Sequence, residues 1–369
     1  MIETRPVEPR RPLRHPRRRA PSTVAMATVV TLLVTGCQLT RAGARCSGSG
    51  FGRDSKGWVL QCRRGRMVRI MTIADYVRFV DFVQQRDAAE RARRESSAVR
   101  AQSFRGTSAW VDVYDWSPTF VASRNPTATP GFTLAQVDRM AQGGINSLYI
   151  QTAKAELGDS VLDRDRLTAI VARARSYGIR VIGWYLPTFA DPAVDRDRLA
   201  AAAGLGLDGV AVDIESTAVD LATRNQRLIE LSHWMRTSFP STPLAAIVLP
   251  PVVTEVINLN YWPQFPWRDL ARDYDVWMPM AYWTNRTAMS GWRDGYRYTK
   301  DNIDRIRSNL GDPGAAVHPI GGLSDTATGA DVDGFVRAAI ETGAIGAGLY
   351  DDAISTLGQY QQLVPMARR

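Results

Sequence analysis

The sequence predicts a (β/α)8 barrel, and three observations carry that expectation. From Ala109 onward short apolar strands alternate with helical segments; the repeat runs for eight cycles over roughly 245 residues, the usual length of such a barrel; and two acids sit at the carboxyl end of the fourth strand, where barrels keep their chemistry. An open doubly wound sheet would share the alternation. No glycine-rich phosphate loop follows the first strand, which argues against it.

The expected strands are AWVDVY (109–114), INSLYIQ (145–151), IRVIGWY (179–185), DGVAVDIE (208–215), LAAIVL (244–249), YDVWMPMAY (274–282), AAVHPIG (315–321) and AIGAGLY (344–350). Helices are expected where Thr133 caps LAQVDRMAQ, from Asp163 to Tyr177, from Thr217 to Ser238 and from Gly329 to Glu341. The barrel domain is placed at 108–369.

The region before the barrel reads as three pieces. Residues 1–37 form a leader: seven arginines against Glu3 and Glu8, then the uncharged apolar run Val24 to Gly36, then Cys37. The run is too short for a membrane span, which needs about 20 residues, and has the proportions of a signal-peptide core. Val34, Thr35, Gly36 and Cys37 resemble a bacterial lipobox, which implies lipidation at Cys37, a membrane anchor and an exported protein; simple secretion is the alternative. Residues 38–70 hold Cys46 and Cys62 among several glycines and read as a small hairpin module closed by a disulfide. Residues 71–107 read as a helix and spacer. Ile73, Tyr76, Val77, Val80 and Val83 give it an apolar stripe, and charged residues follow beyond Gln85.

Five of the nine net positive charges belong to the leader, so nucleic acid is not expected as a partner. His233 and His318 are the histidines of the barrel region, which leaves no basis for a histidine-rich metal site. An all-carboxylate site would have to draw on Asp213, Glu215 and Asp351. No cofactor or metal is expected, and oligomeric state is not legible.

Strand parity then assigns faces. Val210, Val212 and Ile214 share one side of the fourth strand, and Ala211, Asp213 and Glu215 the other. On the first strand Asp112 and Tyr114 should point inward, with Trp116 just beyond. On the sixth, Val276, Met278, Met280 and Tyr282 share a face, and on the eighth Gly346, Gly348 and Tyr350. The rims add Gln151, Trp184, Tyr185, Trp283, Trp292, Asp351 and Asp352. Acids among aromatic planes suit a neutral, polyhydroxylated ligand, so a polysaccharide or oligosaccharide is the expected partner.

DGVAVDIE on the fourth strand and MAYW on the sixth resemble the barrel of family 18 glycoside hydrolases, whose patterns there are DGxDxDxE and MxYD. The resemblance implies Glu215 as general acid, Asp213 as the residue that orients a substrate acetamido group, and Tyr282 as its assistant. In that family the acetamido oxygen replaces a protein nucleophile. Two positions depart: Ala211 stands for the middle aspartate, and Trp283 for the aspartate after the tyrosine. If a second carboxylate acts instead, Asp112, Asp115, Asp351 and Asp352 are the candidates. Two uses are thus expected for the groove, glycoside cleavage at the cell envelope or glycan binding and scaffolding without cleavage. The acids could also serve only as ion-pair partners of Lys154 or an arginine.

Overall fold

The computed structural model describes residues 39–368. The leader and Cys37 lie outside the described residues. Two compact units divide the chain, the first ending at Arg93 and the second beginning at Arg94.

In the first unit β1 (Phe51–Arg53), β2 (Trp58–Arg63) and β3 (Arg66–Thr72) form an antiparallel sheet in that order. So small a sheet buries little, with Val59, Leu60 and Cys62 as its core. The expected covalent clasp is present: Cys46 and Cys62 are bonded, with Cα atoms 5.8 Å apart. Asp54 braces the turn before β2, its carboxylate accepting from the Trp58 backbone N–H at 2.9 Å and pairing with Arg69 at 2.9 Å. Helix α1 (Ile73–Arg100) follows β3, and none of its residues is buried. Among the described residues, no helix is long and apolar enough to cross a membrane.

The second unit is a closed eight-stranded parallel barrel: β4 (Gly106–Val111), β5 (Ser147–Gln151), β6 (Arg180–Tyr185), β7 (Gly209–Ile214), β8 (Leu244–Val248), β9 (Val276–Ala281), β10 (Ile320–Gly321) and β11 (Gly346–Leu349), with β11 pairing back to β4. Its crossover helices are α2 (Leu134–Gln142), α3 (Arg164–Ser176), α4 (Pro192–Ala203), α5 (Leu221–Ser238), α6 (Gly295–Leu310) and α7 (Gly329–Glu341), and α8 (Leu357–Leu363) closes the ring. No long helix follows β8; an irregular stretch with short helical turns at Val253–Ile257 and Trp267–Leu270 takes that place. The helix starts are set by local chemistry. Thr133 and Gln136 form the capping box of α2, and Asp220, rather than Thr217, caps α5.

Two layers of side chains follow from strand parity. Val210, Val212 and Ile214 pack outward against helices, while Ala211 packs inward with Trp110, Tyr149, Ile182, Trp184, Met278 and Met280. Trp110 and Tyr149 stack at 4.2 Å inside the barrel. The first strand begins and ends three residues earlier than its sequence suggested. Gly106, Thr107 and Ser108 look like a loop but are buried at the barrel's amino-terminal end, where Ser108 Oγ meets His318 Nε2 at 2.8 Å. A side chain on Gly348 would place its Cβ 1.9 Å from that same Ser108 Oγ, so the eighth strand needs glycine there. His318 Nδ1 faces the Phe104 carbonyl oxygen at 2.7 Å, and burial lowers its pKa to about 4. His318 is therefore a neutral core group. The seventh strand shrinks to two residues, Pro319 having no N–H to offer a ladder.

Candidate active site

β7 places the central acids. Its Val210, Val212 and Ile214 are held by the outer core, so the alternate face is fixed inward and carries Asp213 and then Glu215 to the carboxyl-end mouth of the barrel. Both line a cavity of about 260 Å³. Its apolar surface comes from Trp110, Trp184, Leu186, Ile247, Met280 and Ile320, and its polar surface from Asp112, Tyr114, Gln151, Lys154, Tyr282 and Tyr350 beside the two acids.

Asp213 is 6% exposed, and its Oδ1 is buried with no hydrogen-bond partner among the described residues. Burial, reinforced by the charge of Glu215, holds its carboxyl well above the ordinary aspartate range, against the pull of Lys154. Burial also raises Glu215, again opposed by Lys154. Two adjacent acids with raised pKa values titrate as a pair. The Tyr282 hydroxyl is pushed far above its usual value by burial and then by Asp213 and Glu215, so it stays a proton donor. The Tyr282 and Tyr350 rings lie 5.6 Å apart.

Asp112 lies where β4 ends. One oxygen accepts from the Tyr114 backbone N–H at 2.8 Å, capping the turn Val113–Trp116, and the other accepts from the Tyr350 hydroxyl at 3.1 Å. Asp112, Asp115 and Asp351 each offer an oxygen within 4.8 Å of the others, the grouping among the described residues with the spacing to hold a cation. It differs from the set considered from the sequence, since Asp213 and Glu215 are not in it. Crowding marks this cluster. Asp115 is raised to about 7 by burial and then by Asp112 and Asp351, and Asp351 to about 6 by burial and then by Asp112.

Several residues expected at the mouth lie elsewhere. Trp116 is fully buried in the outer core, its indole N–H donating to the Gln151 carbonyl at 2.9 Å. Tyr185 cannot share a face with Trp184. Its ring turns outward and its hydroxyl donates to Asp195 at 2.8 Å under α4. Trp283 is fully buried against Phe335, and Trp292 is buried against Tyr298 with Arg297 over its ring. Asp352 is 1% exposed and bound by Arg139 and the Tyr360 hydroxyl, both at 2.6 Å, so it ties α2 to α8. Asp351 is half-buried and joins the acid cluster without lining the cavity.

Asp112, Tyr114, Gln151, Trp184, Asp213, Glu215, Tyr282 and Tyr350 are the expected residues that the fold gathers round the cavity. Gln151 is 1% exposed, and its side-chain oxygen accepts from the Val113 N–H at 3.2 Å, so it also steadies the Asp112 turn. Trp110, Leu186, Ile247 and Ile320 were not anticipated. Parity on the first strand already pointed to Trp110, which shares its face with Asp112.

No protein-family profile matches the sequence, and no curated protein matches it. Solved structures do match in fold. Two crystal structures of a family 18 chitinase from Cycas revoluta, one of a double mutant with (GlcNAc)4 and one with (GlcNAc)3, each give a TM-score of 0.50 at 10% identity. Each covers 71% of this chain and 98% of the chitinase. The barrel therefore shares the fold of these chitinases.

Proposed function

We propose that this protein is a glycoside hydrolase of the cell envelope in which Glu215 is the general acid. The observation that carries the reading is the Asp213–Glu215 pair at the mouth of β7, both carboxyls raised in pKa by burial in a cavity lined by Trp110 and Trp184. A carboxyl whose pKa is raised holds its proton to higher pH and can donate it to a leaving oxygen, and indole rings offer stacking faces to a sugar.

In the proposed step a poly- or oligosaccharide lies across the cavity and the Glu215 O–H passes to the glycosidic oxygen as the C–O bond breaks. The leaving sugar departs neutral, and positive charge develops on the ring left behind. Two routes can meet that charge. With an N-acetylated sugar the acetamido oxygen attacks, oriented by Asp213 and Tyr282. Otherwise Asp112 serves, because of the four acids considered as a second carboxylate it alone lines the cavity. Water completes either route, and no metal or cofactor enters the scheme.

The second reading, a glycan-binding lipoprotein without catalysis, is favoured by one specific pair of departures. Ala211 and Trp283 replace two acids of the family pattern, and both are fully buried. A broad glycan panel separates the two readings. Cleavage by the wild type, lost in Glu215→Gln while oligosaccharide binding persists, supports the enzyme; binding without any cleavage supports the second. The envelope location rests on the leader sequence and Cys37. Its check is fatty-acid labelling of the expressed protein that disappears in Cys37→Ser.

A further inference from the structure

Lys154 lies three residues beyond β5 and, among the described residues, is the one cationic residue that lines the cavity, beside Asp112, Asp213 and Glu215. Its ammonium group rests 5.5 Å from the centre of the Tyr114 ring and 5.7 Å from that of Phe120, so two aromatic faces hold the charge at the wall. Among the described residues it makes no hydrogen bond and no ion pair within 4.0 Å with any of the three acids. It acts on them through space.

We propose that Lys154 is a positioning residue that makes the singly protonated Asp213–Glu215 pair the working state of the site. The inference rests on the hydrolase reading. The reasoning is electrostatic. A cavity with buried carboxyls and no cation would keep both protons to high pH, leaving an acid but no anion to oppose the charge that develops on the sugar. A fixed ammonium group stabilises the first carboxylate, while burial and the repulsion between the two acids retain the second proton. The opposition of Lys154 to the raised values of Asp112, Asp213 and Glu215 agrees with this.

The other titratable groups around Lys154 do not supply the same charge. Tyr282 and Tyr350 are neutral hydroxyls raised above their usual range, and Asp115 and Asp351 add negative charge beside Asp112. Glu156, two residues along, faces Arg124 at 2.9 Å. Among the described residues Lys154 is therefore the source of positive charge at the cavity wall for the pair.

The test is a carboxyl-carbon NMR titration of the full chain, with the Asp213 and Glu215 signals assigned by Asp213→Asn and Glu215→Gln. Lys154→Met is expected to move the first ionisation of the pair upward by about one to three pH units, and Lys154→Arg to restore it. Lys154→Gln replaces the Met variant if that fails to fold. On any glycan the wild type cleaves, the acid limb of kcat/KM, where the singly protonated pair forms, should move with the NMR midpoint of that first ionisation. An unchanged midpoint in a folded, charge-free variant overturns the proposal, as does a variant altered only in KM. A protein that cleaves no glycan overturns the hydrolase reading, and the titration still decides the role of Lys154.

Discussion

Replacing Asp115 by asparagine is expected to stabilise the protein at neutral pH, and the size of the gain follows from the acid cluster. Asp115 is half-buried, has one oxygen with no partner and no solvent, and shares its corner with Asp112 and Asp351. Its pKa is raised to about 7, against an ordinary aspartate value of 3.8. A folded-state pKa above the unfolded one means that the folded protein holds a proton the unfolded chain has released. Stability from this group is therefore full below pH 4 and is lost as pH rises toward 7. At 1.36 kcal/mol per pH unit the unscreened loss is roughly 4 kcal/mol, and partial solvent access lowers it to about 1–2 kcal/mol. An asparagine never ionises, and its amide can donate toward the neighbouring carboxylates. In thermal melts of both proteins in chelator-treated buffer, a Tm advantage for Asp115→Asn of roughly 2–6 °C should open between pH 4 and 7. A difference that stays constant with pH, or a variant less stable than wild type at pH 8, would refute the reasoning.

Three other outcomes follow from the same structure. Asp352→Ala removes the partner of Arg139 and of the buried Tyr360 hydroxyl, and should cost about 2–3 kcal/mol by denaturant unfolding while leaving glycan binding unchanged. Replacing Cys46 and Cys62 by serine opens a loop with a sequence separation of 16, and should destabilise the β1–β3 sheet by about 3 kcal/mol, read as faster amide exchange along β2. Because the acid form of Glu215 is the active one and burial raises its pKa, kcat/KM should fall on the alkaline side at a pH above the glutamate value of 4.5; a rate already lost by pH 5 would contradict this.

Much of this architecture was legible because its signals are local. The period of two in DGVAVDIE follows from the pleat, and Asp213 and Glu215 face inward because Val210, Val212 and Ile214 have helices to pack against. The same rule, applied strictly, separates Trp184 from Tyr185 and includes Trp110. Adjacent aromatics at a strand end cannot both enter a barrel. Residues beyond the strands obey no such rule. Trp116 is claimed by the Gln151 carbonyl, and Asp352 by Arg139 more than two hundred residues earlier. Such partners become neighbours only when the ring closes. The start of β4 was hidden for a different reason. Gly106, Thr107 and Ser108 are small and polar, yet they are buried because His318 and the Gly144 carbonyl take up their hydroxyls.

General-acid catalysis by Glu215 is tested most directly by how the loss in Glu215→Gln depends on the leaving group. Aryl glycosides of graded leaving-group pKa, built on whichever sugar the wild type cleaves, would be compared in single-turnover rates. If Glu215 protonates the departing oxygen, the loss should be about 10²–10⁴-fold for a sugar or alkyl leaving group and should nearly vanish for dinitrophenolate, which departs without a proton. An equal loss across the series would mean that Glu215 does not supply that proton.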